Sequence, residues 1–173
     1  IVDKTAISSN LTIENPRDLE FLRIRIGGIE STDGLDLIDN YRQFIKDGLL
    51  EIRVGSLSNI NTYEIPYTGK ELKAYTQESI LIQSKNDEIV KRVRVILGEE
   101  TDSLEAVRKI NDWLYKNLEK TPTISLPNAL DVLETRKGDC NEHATLFTAL
   151  ARAAGIPTKL VLGLVFLDGK FYY

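Results

Sequence analysis

The chain holds one cysteine and one histidine, Cys140 and His143, three residues apart. A lone sulfur can serve as a nucleophile, a metal ligand or a small apolar filler, and its neighbours decide among these. Asp139 is a good N-cap type, and Glu142 follows three positions later in the D-x-x-E spacing of a capping box. Cys140 is therefore expected at the first position of a helix. Unpaired N–H groups and the positive end of the helix dipole favour thiolate over thiol there. The same N–H groups can hold the oxyanion formed when a thiolate attacks an acyl carbon. The carboxylates of Asp139 and Glu142 oppose the first effect. A nearby imidazolium would make up that deficit and complete a nucleophile–base pair. The chemistry on offer is acyl transfer by a thiol, with Cys140 as the catalytic residue.

His143 is the obvious candidate for the base, yet its position argues against it. An imidazole at i+3 on the same helix does not easily leave a carbonyl between itself and the sulfur. It is expected instead to be a packed or partly exposed ring. A Cys140/His143 metal pair would need about two further ligands, and these could only be carboxylates, so no metal and no cofactor is expected. Asp139 and Glu142 are read as capping residues first. The plain alternative for Cys140 is a buried structural thiol.

Several elements must position that sulfur. The Cys140 helix continues through Leu146, Phe147, Leu150 and Ala154 on its apolar face, with Ala144, Ala149, Ala151 and Ala153 keeping it slim. Gly155 fits the left-handed position after a helix and Pro157 prevents continuation. A strand over Lys159 to Phe166, a turn at Asp168-Gly169 and a return strand from Lys170 to Tyr173 are expected next. Upstream, apolar residues recur at helical spacing from about Asn86 to Gly98. A second helix begins at Asp102, with Glu105 expected to reach back to it. Its stripe is Leu104, Val107, Ile110, Trp113-Leu114 and Leu118, and Trp113 reads as core. Asn128 to Glu134 forms a short helix. The earlier chain is richer in strand signals: Phe21 to Ile26, Leu50 to Val54, and short candidates at Thr62 to Ile65 and Ser79 to Ile82. Asp36 to Lys46 carries a helical stripe stopped by Gly48. The expected division is a β-rich region over 1–82 and a second region over 83–173.

A chain of 173 residues is long enough to bury a real core in one large domain or two small ones. Apolar and charged fractions of 42% and 28% are those of an ordinary globular protein. The net charge of −4 argues against a nucleic-acid partner. No apolar run reaches the roughly 20 residues of a membrane helix. A single cysteine excludes an internal disulfide and leaves the compartment open. The chain opens with Ile1 rather than Met, as a mature or excised product would.

The C-terminal motifs resemble a known family. Asn128-Ala129, Val132-Leu133, Arg136-x-Gly138-x-Cys140, Ala144-x-Leu146-Phe147 and Leu150-x-Arg152-Ala153-Ala154-Gly155-Ile156-Pro157 are together similar to the transglutaminase-like superfamily. The resemblance covers roughly residues 86 to 173. It implies an α+β protein in which a β-rich N-terminal region precedes a partial papain-like core, with the Cys140 helix packed on an antiparallel sheet. It implies acyl transfer from amides of a protein or peptide substrate, with hydrolysis favoured over crosslinking, no cofactor, and an extracytoplasmic setting. The amide of Cys140 would supply part of the oxyanion hole. The family's histidine begins just after the strand ending at Tyr172-Tyr173 and its aspartate lies further on. The chain is therefore expected to stop short of both partners and to be inactive alone. Two rivals remain: a non-catalytic binding or scaffold module of the same fold, and a protein whose function resides in residues 1–82.

Overall fold

A computed structural model describes residues 6–10, 12–25, 42–56, 60–123 and 126–172. The chain divides into two compact units, one of Ile1–Ile60 with Leu162–Tyr173, the other of Asn61–Val161. The division expected at 82/83 falls inside the second unit, because Ile82 is buried among its helices and Leu81 accepts a hydrogen bond from the Ala129 amide at 2.9 Å.

The first unit is built from strands: β1 (Ile7–Ser8), β2 (Phe21–Arg25), β3 (Gln43–Lys46), β4 (Leu49–Arg53), β7 (Val165–Leu167) and β8 (Lys170–Tyr172). Strands β2, β4 and β3 form one antiparallel sheet, with Leu22 opposite Ile52 and Ile24 opposite Leu50. Arg23 donates to Glu51 across the β2–β4 pair at 2.8 Å. The expected helix over Asp36 to Lys46 is not formed where the structure describes it: residues 43–46 are strand β3, and 36–41 lie outside the described residues. Asp47 and Gly48 both adopt positive φ, 52° and 71°. They make the tight turn that joins β3 to β4, so Gly48 closes a hairpin rather than a helix.

In the second sheet β8 lies between β1 and β7. The expected Asp168-Gly169 turn joins β7 to β8 with φ of 49° and 81°. Phe166 and Phe171 stand opposite each other and meet edge to face at 5.1 Å. The strand expected from Lys159 begins only at Val165. No partner strand is recorded for 159–164 among the described residues, and β-propensity without a partner does not make a strand.

Among the described residues the second unit holds four α-helices, α1 (Asp87–Leu97), α2 (Ser103–Asn117), α3 (Ala129–Thr135) and α4 (Cys140–Ala153), with β5 (Glu119–Lys120) and β6 (Lys137–Gly138) paired in parallel. Helix α4 packs against the other three. Its Leu146, Ala149 and Leu150 are fully buried beside Ile89 of α1, Ile110 of α2 and Val132 of α3. Each such aliphatic side chain stabilises the fold by about 1.5–3 kcal/mol. The slim alanine faces expected of α4 are what admit three neighbours. Thr62 to Ile65 is not a strand. Glu64 forms one isolated bridge with Asp102, while Tyr63 and Ser103 exchange hydrogen bonds near 3 Å. Ser79 and Ile82 close a turn on each other.

Caps explain the helix boundaries. Asn86 accepts from the Glu88 amide at the start of α1. Asp102 accepts from the amides of Leu104 and Glu105 at 2.9 and 3.0 Å. Glu105 does not reach back as expected. Its carboxylate pairs with Arg108, and Glu100 takes the Asp102 amide at 3.1 Å. At the end of α4, Gly155 sits at φ 78°, with Ile156 donating to Ala151 and Gly155 to Arg152, both at 2.9 Å. This is the Schellman closure that the Gly-Ile-Pro ending implies.

Candidate active site

Cys140 is the first residue of α4 and is exposed. Its surroundings follow from the box on either side. The Asp139 carboxylate accepts from the Asn141 amide at 3.0 Å and from the Glu142 amide. Glu142 in turn accepts the Asp139 amide at 2.9 Å. The His143 amide makes the first helical bond, to the Asp139 carbonyl at 3.1 Å. Of the amides from 139 to 143, that of Cys140 alone has no partner among the described residues. The cap thus closes every early donor except the one beside the sulfur.

Glu142 anchors this arrangement. It is 3% exposed, and Thr123 donates to its other oxygen at 2.6 Å. Burial alone would push its carboxyl up. The hydrogen bonds from Thr123, from the Asp139 amide and from its other donors outweigh that and hold it at about 2. Thr123 is brought there by the β5–β6 pair. The amide of Glu119 reaches the Arg136 carbonyl at 2.8 Å and that of Thr121 reaches Gly138 at 3.1 Å. Gly138 is required for contact as much as for turning: a β-carbon there would overlap the Glu142 side chain.

His143 is half-buried, and its Nδ1 lies 2.7 Å from the Asp139 carbonyl oxygen. A carbonyl only accepts, so Nδ1 carries the hydrogen and donates. The ring is tied to its own helix, and no hydrogen bond joins it to Cys140 among the described residues. Arg152, which carried no assigned role in the sequence, grips the chain after α4. Its Nε and Nη2 donate to the Thr158 carbonyl at 3.1 and 2.8 Å, and its Nη1 donates to Gln77 at 2.7 Å. The Thr123–Glu142 contact also went unread, since no local spacing signals a bond across nineteen positions. Among the described residues no group of three His, Cys, Asp or Glu side chains converges to hold a metal ion, and no helix is long and apolar enough to cross a membrane.

An exposed cysteine opening a capped helix in an α+β chain is the arrangement of a thiol-enzyme-like fold. The profile of the transglutaminase-like superfamily matches residues 90–171, the segment that holds Cys140 and its helix. The chain is 37% identical over 86 residues to an uncharacterised protein of Haemophilus influenzae, a match covering 46% of this chain and 23% of that protein. It is also similar to a crystal structure from Cytophaga hutchinsonii described provisionally as a cysteine protease, at 22% identity and a TM-score of 0.48, covering 67% of this chain and 49% of the other. A second, from Parabacteroides distasonis and described provisionally as a protease, gives 19% identity and a TM-score of 0.39 over 66% and 27%. The chain spans well under two thirds of the length of each of these relatives.

Proposed function

We infer that Cys140 is the nucleophile of a thiol-dependent acyl transfer on amide bonds, with hydrolysis as the favoured outcome. The observation carrying this reading is the open Cys140 amide next to an exposed sulfur, at a helix start whose other early donors are all closed. The thiolate attacks the amide carbon, an S–C bond forms, and the carbonyl electrons move onto oxygen. The Cys140 N–H is directed to hold that oxyanion. Collapse breaks the C–N bond, the amine leaves with a proton, and a thioester remains. Water, or a second amine in the transfer variant, then attacks the thioester and returns the thiol. The proton first leaves Cys140 for a base. The resemblance implies an imidazole from a facing strand, and the Nδ1 bond of His143 to its own helix supports looking beyond His143 for it.

Alkylation by iodoacetamide tests the sulfur itself. The expected result is a Cys140 rate, per molecule, at least several-fold faster in the folded chain than in the urea-unfolded chain at pH 6–7. Equal or slower labelling of the folded chain would reject the nucleophile and favour the non-catalytic module. Turnover of a peptide amide that survives Cys140→Ala would reject it independently.

A further inference from the structure

A second feature of the helical unit includes Arg136, the first residue of the Arg136-x-Gly138-x-Cys140 motif. Between α1 and α3 runs a groove of about 770 Å³, within the size range of ligand pockets. Leu130 and Leu133 give it an apolar wall, and Arg92 and Arg136 enter it from α1 and from the end of α3. Both guanidinium groups also sit against one indole: the Cζ of Arg92 lies 5.2 Å from the Trp113 ring centroid and that of Arg136 lies 6.0 Å away. Two like charges are thereby brought to one ring, whose electron-rich faces attract each of them.

Glu88 and Glu134 line the same groove. The bond from Lys91 at 2.8 Å, and to a lesser extent the charge of Arg92, lower the Glu88 carboxyl, but neither carboxylate forms a recorded ion pair with an arginine among the described residues. No ion pair is recorded for Arg92 or Arg136 among the described residues, and the Nε of Arg92 is buried without a hydrogen-bond partner. A buried guanidinium donor left open is destabilising until an acceptor reaches it. Its fork is shaped for a planar two-oxygen acceptor. Charge narrows the choice further: three cationic side chains face two carboxylates in the groove, a balance suited to a monoanion rather than a phosphate dianion or a polyanion.

We propose that the groove lined by Arg92 and Arg136 binds a peptide carboxylate, carried either by an acidic side chain or by a free C-terminus, which gives the open Nε of Arg92 its acceptor and engages the exposed Arg136 beside it. Binding does not depend on the thiol reading. Its relation to catalysis does: Arg136 lies four positions before Cys140, so their Cα atoms lie within about 14 Å. A carboxylate held in the groove would then fix which amide bond of a peptide reaches the sulfur.

Trp113 is the chain's one tryptophan and lies against both arginines, so its fluorescence reports a change at their guanidinium groups. The titrants are short peptides with an acetylated N-terminus: one with a single Glu and an amidated C-terminus, its Gln counterpart, and a Gln counterpart with a free C-terminus. The Glu peptide, the free-C-terminus peptide or both should change Trp113 emission saturably, with binding at least tenfold tighter than the amidated Gln peptide, and the arm that binds identifies the source. Arg136→Asn keeps a residue type that tolerates the left-handed backbone at φ 53° and should weaken binding at least tenfold with an unchanged melting temperature. Glu134→Gln, which removes a rim charge, should tighten binding severalfold in low salt, a direction that a purely structural groove would not give. Equal binding of the amidated Glu and Gln peptides, tighter binding of inorganic phosphate than of either peptide, or no effect of Arg136→Asn would each overturn the assignment. Each leaves the Cys140 alkylation result untouched.

Discussion

Glu142→Gln probes the foundation of the candidate site, and its effect should depend on pH in a defined way. The carboxylate is buried, accepts from Thr123 at 2.6 Å and from the Asp139 amide at 2.9 Å, and is held at about 2 against an ordinary 4.5. At about 1.36 kcal/mol per unit, that difference corresponds to roughly 3 kcal/mol of folding stability when the group is ionised. A carboxyl depressed in the folded state contributes fully above its unfolded value and loses that contribution as pH falls towards its folded value. Glutamine keeps one acceptor oxygen and turns an NH₂ toward the other donor. The variant should therefore be about 2–3 kcal/mol less stable than the wild type at pH 7. The gap should narrow between pH 4.5 and pH 2 to under about 1 kcal/mol, the net worth of one neutral hydrogen bond. Urea unfolding at 25 °C, followed by circular dichroism at several pH values, measures this directly. A gap that stays constant from pH 7 to pH 2.5, or a variant as stable as the wild type at pH 7, would refute the claim that an ionised Glu142 holds the start of α4.

Gly138→Ala should cost a similar amount, because its β-carbon would displace the same Glu142 side chain. The Gly138→Ala/Glu142→Gln double variant should then fall short of additivity by about 1 kcal/mol or more in the same urea assay. Gly155→Ala meets both a positive φ of 78° and the backbone of Pro66, so it should cost more than about 2 kcal/mol. Gly169→Ala shares a positive φ of 81° but has open space around it, and should cost only about 1–2 kcal/mol in thermal unfolding.

What was legible in the sequence was local. Helix α4 could be read from end to end because Asp139, Glu142, Gly155 and Pro157 act within a few residues of the boundaries they set. Helices α1 and α2 carry both a cap and a stripe. The apolar run that ends at Lys46 fits either period, and over its described part, residues 43–46, the strand wins because Asp47-Gly48 is a hairpin signature of the same kind as Asp168-Gly169. Glu105 fits the capping-box spacing, but Arg108 and Glu100 compete for the groups involved. The Thr123–Glu142 bond and the two arginines on Trp113 join positions some twenty residues or more apart, and only the folded helices bring them together.

The segment from Arg136 to Glu142 shows why the thiol reading and the architecture depend on each other. Arg136 takes the left-handed turn that ends α3, at φ 53°. Gly138 gives up a side chain so that Glu142 can lie against its backbone. Asp139 and Glu142 spend their carboxylates on each other's side of the helix start. The neighbouring side chains Asp139 and Glu142 are thereby committed to the cap, while Cys140 is exposed and its amide has no recorded partner among the described residues. A cysteine kept only for packing would gain from burial, as free cysteines generally do. Here an elaborate cap, anchored by a charge that survives to about pH 2, leaves that one position uncovered. On the proposed reading, that uncovered pair of atoms is what meets an incoming carbonyl, and the alkylation of Cys140 is the measurement that decides it.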